Sequence, residues 1–208
     1  MGKVLHVAAS PRGDRSKSSS IARTFLNTYM ALHPGDDVES INVFEEELPA
    51  FDGPALQAKY NILHGQESSP YQQKAWKEIE AAIANFTAAD KYVFSVPMWN
   101  FGIPYRLKQY FDVIVQPGYT FAVDPETGYK GLLEGRPATV IYARGGAYRG
   151  DFVVMDQQKP YMECILDFMG ITVTQTVLGE NLLACGPDAG EEALAAAVDD
   201  AKLAASEF

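Results

Sequence analysis

Apolar positions along this chain switch between strand and helix periods in a regular alternation. Lys3 to Ala9 is a nearly continuous apolar run of strand length, as expected of a central strand buried on both faces. Ile21, Phe25, Leu26 and Tyr29 then recur at helical spacing. Asp37 to Val43 reads as a second strand, with Val38, Ile41 and Val43 as its apolar positions. An acidic, turn-rich stretch from 44 to 53 suits a solvated face, and Ala55 to Leu63 is expected to form a short helix. Ser69-Pro70 introduces a longer helix, Tyr71 to Phe86, with Trp76, Ile79, Ile83 and Phe86 on one side. Tyr92 to Val96 is another buried strand, ended by Pro97, which cannot donate to a ladder. Helical spacing returns with Ile103, Leu107, Phe111 and Ile114.

The second half repeats the alternation. A turn is expected at 125–128 (Pro125-Glu126-Thr127-Gly128), with Tyr129 to Leu133 pairing back as a small hairpin. Arg136 to Ala143 is the fourth strand of the main sheet, and Ile171 to Leu178 the fifth. Between them a helix is expected over Asp156 to Gly170, with Tyr161, Ile165 and Phe168 on its apolar side. Pro160 is acceptable only in its first turn, and Gly170 suits its C-terminal cap. An alanine-rich helix from Glu191 to Phe208 closes the chain. Strands alternating with helices predict an α/β fold, a doubly wound five-stranded parallel sheet with helices on both faces, as one domain over 1–208.

Composition narrows the class. At 208 residues, 47% hydrophobic and 21% charged, the chain has enough apolar material for a core. Its net charge of -10 argues against nonspecific nucleic-acid binding, which needs clustered Lys and Arg. Cys164 and Cys185 form neither a disulfide framework nor a metal-ligand pattern. Cys164 is expected to be a small core residue of a helix, and Cys185 a free thiol in a loop. His6, inside the first strand, reads as a core histidine with satisfied ring nitrogens. No signal-like segment opens the sequence, and no apolar run approaches the roughly 20 residues a membrane span needs. A soluble cytoplasmic protein with no membrane association is the expectation.

The chemistry lies in loops that follow strands. Ser10 to Ser20 joins the first strand to the first helix and is rich in hydroxyls. Orphan N–H groups, the helix dipole and serine hydroxyls converge there on an anion site, with Ser10, Ser16, Lys17 and Ser18 as candidates. The alternative is that Ser16 or Ser18 merely caps the helix. The loop lacks the glycine spacing of dinucleotide and Walker loops, which leaves room for a phosphate monoester. Pro97-Met98-Trp99-Asn100-Phe101 offers apolar packing and backbone N–H groups to a flat ring. Arg144-Gly145-Gly146 either brings N–H donors close to a ring edge or is simply a glycine-rich turn. One phosphate, a flat face and a polar edge together describe flavin mononucleotide (FMN).

These segments carry a resemblance that spans essentially the whole chain. Pro97 to Phe101, Leu107-Lys108-Gln109-Tyr110-Phe111-Asp112, Gly118-Tyr119-Thr120-Phe121, Arg144-Gly145-Gly146 and Phe168-Met169-Gly170-Ile171 resemble the FMN-dependent NADH-azoreductase and NAD(P)H:quinone oxidoreductase family. The resemblance implies a flavodoxin-like fold and ping-pong transfer of two electrons from NADH or NADPH to quinones or azo compounds. It also implies a homodimer with sites at the interface, where Tyr119 and Phe121 line the substrate side. By the same resemblance, Ser10 and Ser16 to Ser18 hold the phosphate, Met98 to Phe101 border the isoalloxazine, and Arg144 to Gly146 approach its pyrimidine end. The chain departs from common members at Arg12-Gly13-Asp14-Arg15, at Tyr119, and at Ala143, where a serine is common. No catalytic side chain is assigned; Tyr119, Tyr148 and His64 are open as proton sources, with structural roles as the alternative. A flavodoxin-like electron carrier docking to a protein is the competing class.

Overall fold

A computed structural model describes residues 1–126 and 128–208; Thr127, in the expected turn, lies outside the described residues. The main sheet is built from β1 (Lys3–Ala8), β2 (Asp37–Asn42), β3 (Lys91–Pro97), β6 (Pro137–Ala143) and β7 (Thr172–Gly179). Its strands are all parallel, in the order β2-β1-β3-β6-β7. The remaining strands, β4 (Phe121–Asp124) and β5 (Gly128–Gly131), form the small antiparallel hairpin. Six α-helices accompany them among the described residues: α1 (Lys17–Leu32), α2 (Gly53–Leu63), α3 (Pro70–Thr87), α4 (Tyr105–Ile114), α5 (Gln158–Phe168) and α6 (Pro187–Ser206).

Side-chain parity along the strands divides the core into two layers. Leu5 and Val7 of β1, Tyr92, Phe94 and Val96 of β3, and Val140 and Tyr142 of β6 face the layer that contains Ile79, Ile83, Leu107, Phe111 and Met162. Val4, Val93 and Ile141 face the other layer, packed with Ile21, Phe25 and Tyr29 of α1 and Ala197 and Ala201 of α6. Cover on both faces explains why the central strands β1, β3 and β6 read as nearly unbroken apolar runs.

Helix boundaries follow local chemistry. Ser16 caps α1 by accepting from the Ser19 N–H, and Ser69 with Gln72 makes a reciprocal capping box on α3. α5 begins at Gln158, which places Pro160 in its first turn, as Pro requires. Its fully buried stripe is Gln158, Met162 and Leu166, one position along from the expected Tyr161, Ile165 and Phe168, which are half-buried. Cys164 corrects the expectation of a core residue: two residues from Met162, it turns to the opposite face of α5 and is exposed. α6 starts at Pro187, earlier than the expected Glu191. Gly190 does not break it, because the glycine lets the helix lie against the Leu182 carbonyl, 2.8 Å from where a Cβ would sit. A short 3-10 stretch over Gly150–Met155 has no counterpart in the sequence-based expectation. No described helix is long and apolar enough to cross a membrane.

Candidate functional site

The strand order reverses between β1 and β3, so the loops that leave their carboxyl ends run to opposite faces of the sheet and leave a crevice. A cleft of about 310 Å³ opens there, lined by Ser10, Arg12, Ser16, Lys17, Ser18, Pro97, Met98, Trp99, Ala143, Arg144, Gly145, Leu182 and Leu183. Each wall is the loop that leaves one strand, brought in by the parallel sheet.

The first wall is the start of α1. Ser10, Ser16 and Ser18 are all buried, and the Ser16 and Ser18 hydroxyls lie 3.1 Å apart. Ser16 Oγ also accepts from the Ser19 N–H at 3.2 Å, so the capping role and the ligand-facing role fall on one side chain. The N–H groups of Lys17 and Ser18 are in the first turn, where a helix offers no internal acceptor. With Arg12 and Lys17 also in the wall, the donor set is cationic and hydroxyl-rich, the chemistry that a phosphate monoester requires.

The second wall is a tight turn. Trp99 and Gly102 exchange two backbone hydrogen bonds of 3.0 Å, and Asn100 and Phe101 between them have φ of 46° and 70°. Two successive left-handed residues are the mark of a type I′ turn, and a bulky Phe is rarely found there. Such strain collects at functional sites. Met98 spends its N–H on the Ala143 carbonyl at 2.9 Å. Met98 and Trp99 face the cleft. Asn100 instead lines a second hollow of about 450 Å³ with Trp99, Tyr105, Lys108 and Tyr161. Phe101 is half exposed, edge-on to Tyr148 at 6.1 Å.

The third wall is Arg144-Gly145-Gly146. The Arg144 N–H is donated to the Gly179 carbonyl at 2.8 Å, so this expected ring-edge donor is used within the fold. Gly145 accepts from Leu183 and Ala184, and neither glycine N–H meets a backbone acceptor among the described residues. A Cβ on Gly145 would touch Leu183, a cleft residue, at 3.4 Å. The Arg144 side chain is buried and runs inward: Nη1 pairs with Asp156 at 2.8 Å and Glu180 at 3.4 Å, and Nε bonds Gln158. Its buried Nη2 has no hydrogen-bond partner among the described residues, which leaves one unused donor at the root of this wall.

Two expected site residues lie elsewhere in the protomer. The Tyr119 hydroxyl donates to Glu80 at 2.6 Å and the ring packs edge-on to Trp76, with burial and the Glu80 bond raising its pKa. Phe121 packs against Phe168 and Tyr129 on the hairpin. His64 is exposed at the end of α2, with Nδ1 bonded to the Tyr60 carbonyl. Leu182 and Leu183 line the cleft without having been picked out from sequence, and Arg12, noted there only as a departure from the family and for its charge, joins them. The same carboxyl-end rule that selected the other loops points to the one after β7, but an apolar Leu-Leu pair carries no chemical signature.

Comparison with known proteins gives the family. Residues 2–204 match the family described as having a flavodoxin-like fold. An FMN-dependent NADH:quinone oxidoreductase of Nitratidesulfovibrio vulgaris is 47% identical over 210 residues, covering all of both chains. FMN-dependent NADH:quinone oxidoreductase 2 of Pseudomonas syringae pv. tomato is 42% identical over 98% of each. The chain belongs to this flavodoxin-like oxidoreductase family. Among solved structures, an azoreductase from Bacillus anthracis str. Sterne superposes with a TM-score of 0.92 at 31% identity over all of both chains. An FMN-dependent NADH-azoreductase from the Ames Ancestor strain, in complex with FMN, gives 0.90 at 32% identity, covering 100% of this chain and 99% of its own. As in other flavodoxin-like proteins, the crevice at the strand switch point is where a ligand is expected.

Proposed function

We propose that this protein is an FMN-dependent NADH:quinone oxidoreductase with azoreductase activity, acting as a single domain of 1–208 within a cytoplasmic homodimer. The observation that carries this reading is the cleft itself: a cationic hydroxyl cradle, an apolar wall and a glycine edge converge at one switch point. When bound, FMN supplies the two-electron chemistry that takes hydride from NADH and reduces the acceptor. The chain's own residues bind, orient and exclude water. Ser10, Ser16, Lys17 and Ser18 hold the phosphate, with Arg12 adding charge that riboflavin would not use. Pro97, Met98 and Trp99 supply the apolar wall, and the Asn100–Phe101 turn presents its backbone beside it. Gly145 and Gly146 offer N–H groups to the polar ring edge, and the Arg144 side chain, paired with Asp156 and Glu180, anchors the segment behind them.

Donor and acceptor would use one slot in turn, hence ping-pong kinetics. Support for a homodimer comes from Phe152, Val153 and Val154, which are 62%, 57% and 74% exposed in succession. On this reading Tyr119 and Phe121 serve the substrate side across that interface. The test is direct: the FMN-loaded protein should bleach on anaerobic NADH addition and regain colour with menadione. Flavin that stays oxidised under NADH alone would exclude the reading and favour an electron carrier.

A further inference from the structure

The two loops that border the proposed ring slot leave different strands, and one short segment joins them. That segment is Asp156-Gln157-Gln158, at the start of α5. Asp156 Oδ1 accepts from the N–H groups of Gln158 at 3.1 Å and Lys159 at 3.0 Å, capping the helix, while Oδ2 holds Arg144 at 2.8 Å. Gln157 donates its N–H to the Phe101 carbonyl at 2.9 Å, on the strained turn. Gln158 is fully buried; its Oε1 accepts from Arg144 Nε at 2.9 Å and its Nε2 donates to the Val96 carbonyl at 2.9 Å. Val96 directly precedes the Pro97–Phe101 segment, and Arg144 directly precedes Gly145.

We propose that Gln157 and Gln158 are positioning residues that fix the spacing between the Trp99–Phe101 wall and the Gly145–Gly146 wall. This rests on the FMN reading above. The amide suits the place chemically. A guanidinium can only donate and a carbonyl can only accept, so the bridge between Arg144 and Val96 needs one acceptor and one donor, with no added charge. Those partners also decide which end of the Gln158 amide is oxygen. A carboxylate lacks the donor, and a thioether has no donor and only a weak acceptor. The Gln157 N–H adds a second tie, made by backbone, to the turn whose conformation is otherwise unfavourable.

The full-length apoprotein should be titrated with FMN, recording the dissociation constant and the visible absorption and circular dichroism of the bound flavin. Gln158→Met and Gln158→Glu are each expected to weaken FMN at least tenfold at pH 7.5 and to shift the flavin band. Between pH 7.5 and 5.5, Gln158→Glu alone should regain affinity relative to the unsubstituted protein at each pH. Burial and the carboxylates of Asp156 and Glu180, which already share Arg144, raise the pKa of the introduced carboxyl against the pull of that guanidinium and of Arg149 beyond it, and once protonated it can donate to Val96 as the amide does. A residue that served stability alone would lower the melting temperature of the apoprotein and leave the spectrum of the bound flavin unchanged. Gln157 is exposed, and proline there needs φ of about -65° against the -100° of Gln157, so the melting temperature of Gln157→Pro is recorded beside its FMN affinity. Gln157→Pro removes the N–H that reaches Phe101 and Met155 without touching the core, and should weaken FMN about fivefold, more than any fall in the apoprotein's melting temperature accounts for.

Folded variants at both positions that bind FMN within twofold of the unsubstituted protein, with the same spectrum, would overturn the inference. So would a Gln158→Glu profile that runs parallel to that of Gln158→Met. Should neither Gln158 variant fold, Gln157→Pro alone decides. Absence of FMN binding by the unsubstituted protein would instead defeat the underlying reading.

Discussion

His6 bridges three strands from the middle of β1, with its ring nitrogens 3.2 Å from Ser40 Oγ on β2 and 3.0 Å from Ser95 Oγ on β3. Burial pushes its pKa down to about 4, so the folded protein keeps the ring neutral. The unfolded chain takes up a proton near pH 6.5, and the folded state does so only near 4. Stability is therefore complete above pH 6.5 and falls as the pH drops through this window, by about 3 kcal/mol for this group. Chemical denaturation at stepped pH should show this limb, and His6→Gln should flatten it. The same scale governs the phosphate cradle. Ser16→Ala removes a helix cap and a cleft hydroxyl together, so the apoprotein should lose about 1 kcal/mol of unfolding free energy. FMN affinity should fall while riboflavin affinity stays level, since riboflavin has no phosphate; isothermal titration with both ligands separates the effects. The exposed Cys164 marks a limit at this scale: an apolar helix pattern does not say which residues turn outward, because α5 meets its neighbours along one stripe.

Among the elements, the hairpin depends on a close backbone approach that no side-chain pattern announces. A Cβ on Gly131 would lie 2.2 Å from the Gly170 nitrogen and 2.4 Å from the Met169 carbonyl carbon. The Leu133 N–H is donated to the Met169 carbonyl just beyond, so β5 is fastened to the turn between α5 and β7. Gly131→Ala should force the hairpin away and destabilise the protein by about 2–3 kcal/mol, read as a lower urea midpoint with the m-value retained. Phe121, which packs on Phe168, moves with this hairpin, so acceptor kinetics should change with it. The Trp99–Gly102 turn shows the opposite case. Its place after β3 follows from Pro97 and the helical period beyond, whereas the left-handed Asn100 and Phe101 contradict local preference. Such a conformation persists only because the Gln157 N–H and the exchanged bonds of Trp99 and Gly102 hold it.

For the whole molecule, the exposed Phe152–Val154 run is the surface that predicts association. If it is the homodimer seam, Val153→Glu combined with Val154→Glu should shift the protein from dimer to monomer in light scattering coupled to size exclusion. An unsubstituted protein that elutes as a monomer at micromolar concentration would defeat the dimer reading. The strand and helix order, the five-stranded parallel sheet and the serine, aromatic and glycine loops were all legible from the sequence by itself. Those features are local: apolar period, capping residues and turn chemistry act within a few residues of one another. The tertiary structure alone decided which loops share one cleft, that Leu182 and Leu183 complete it, and that Tyr119 and Phe121 stand away from it within the protomer. It alone brought Asp156, Gln157 and Gln158 against Arg144, Val96 and Phe101. Parallel strands bring together residues far apart in the chain, and a pairing such as Gln158 with Val96 leaves no periodic trace in either segment.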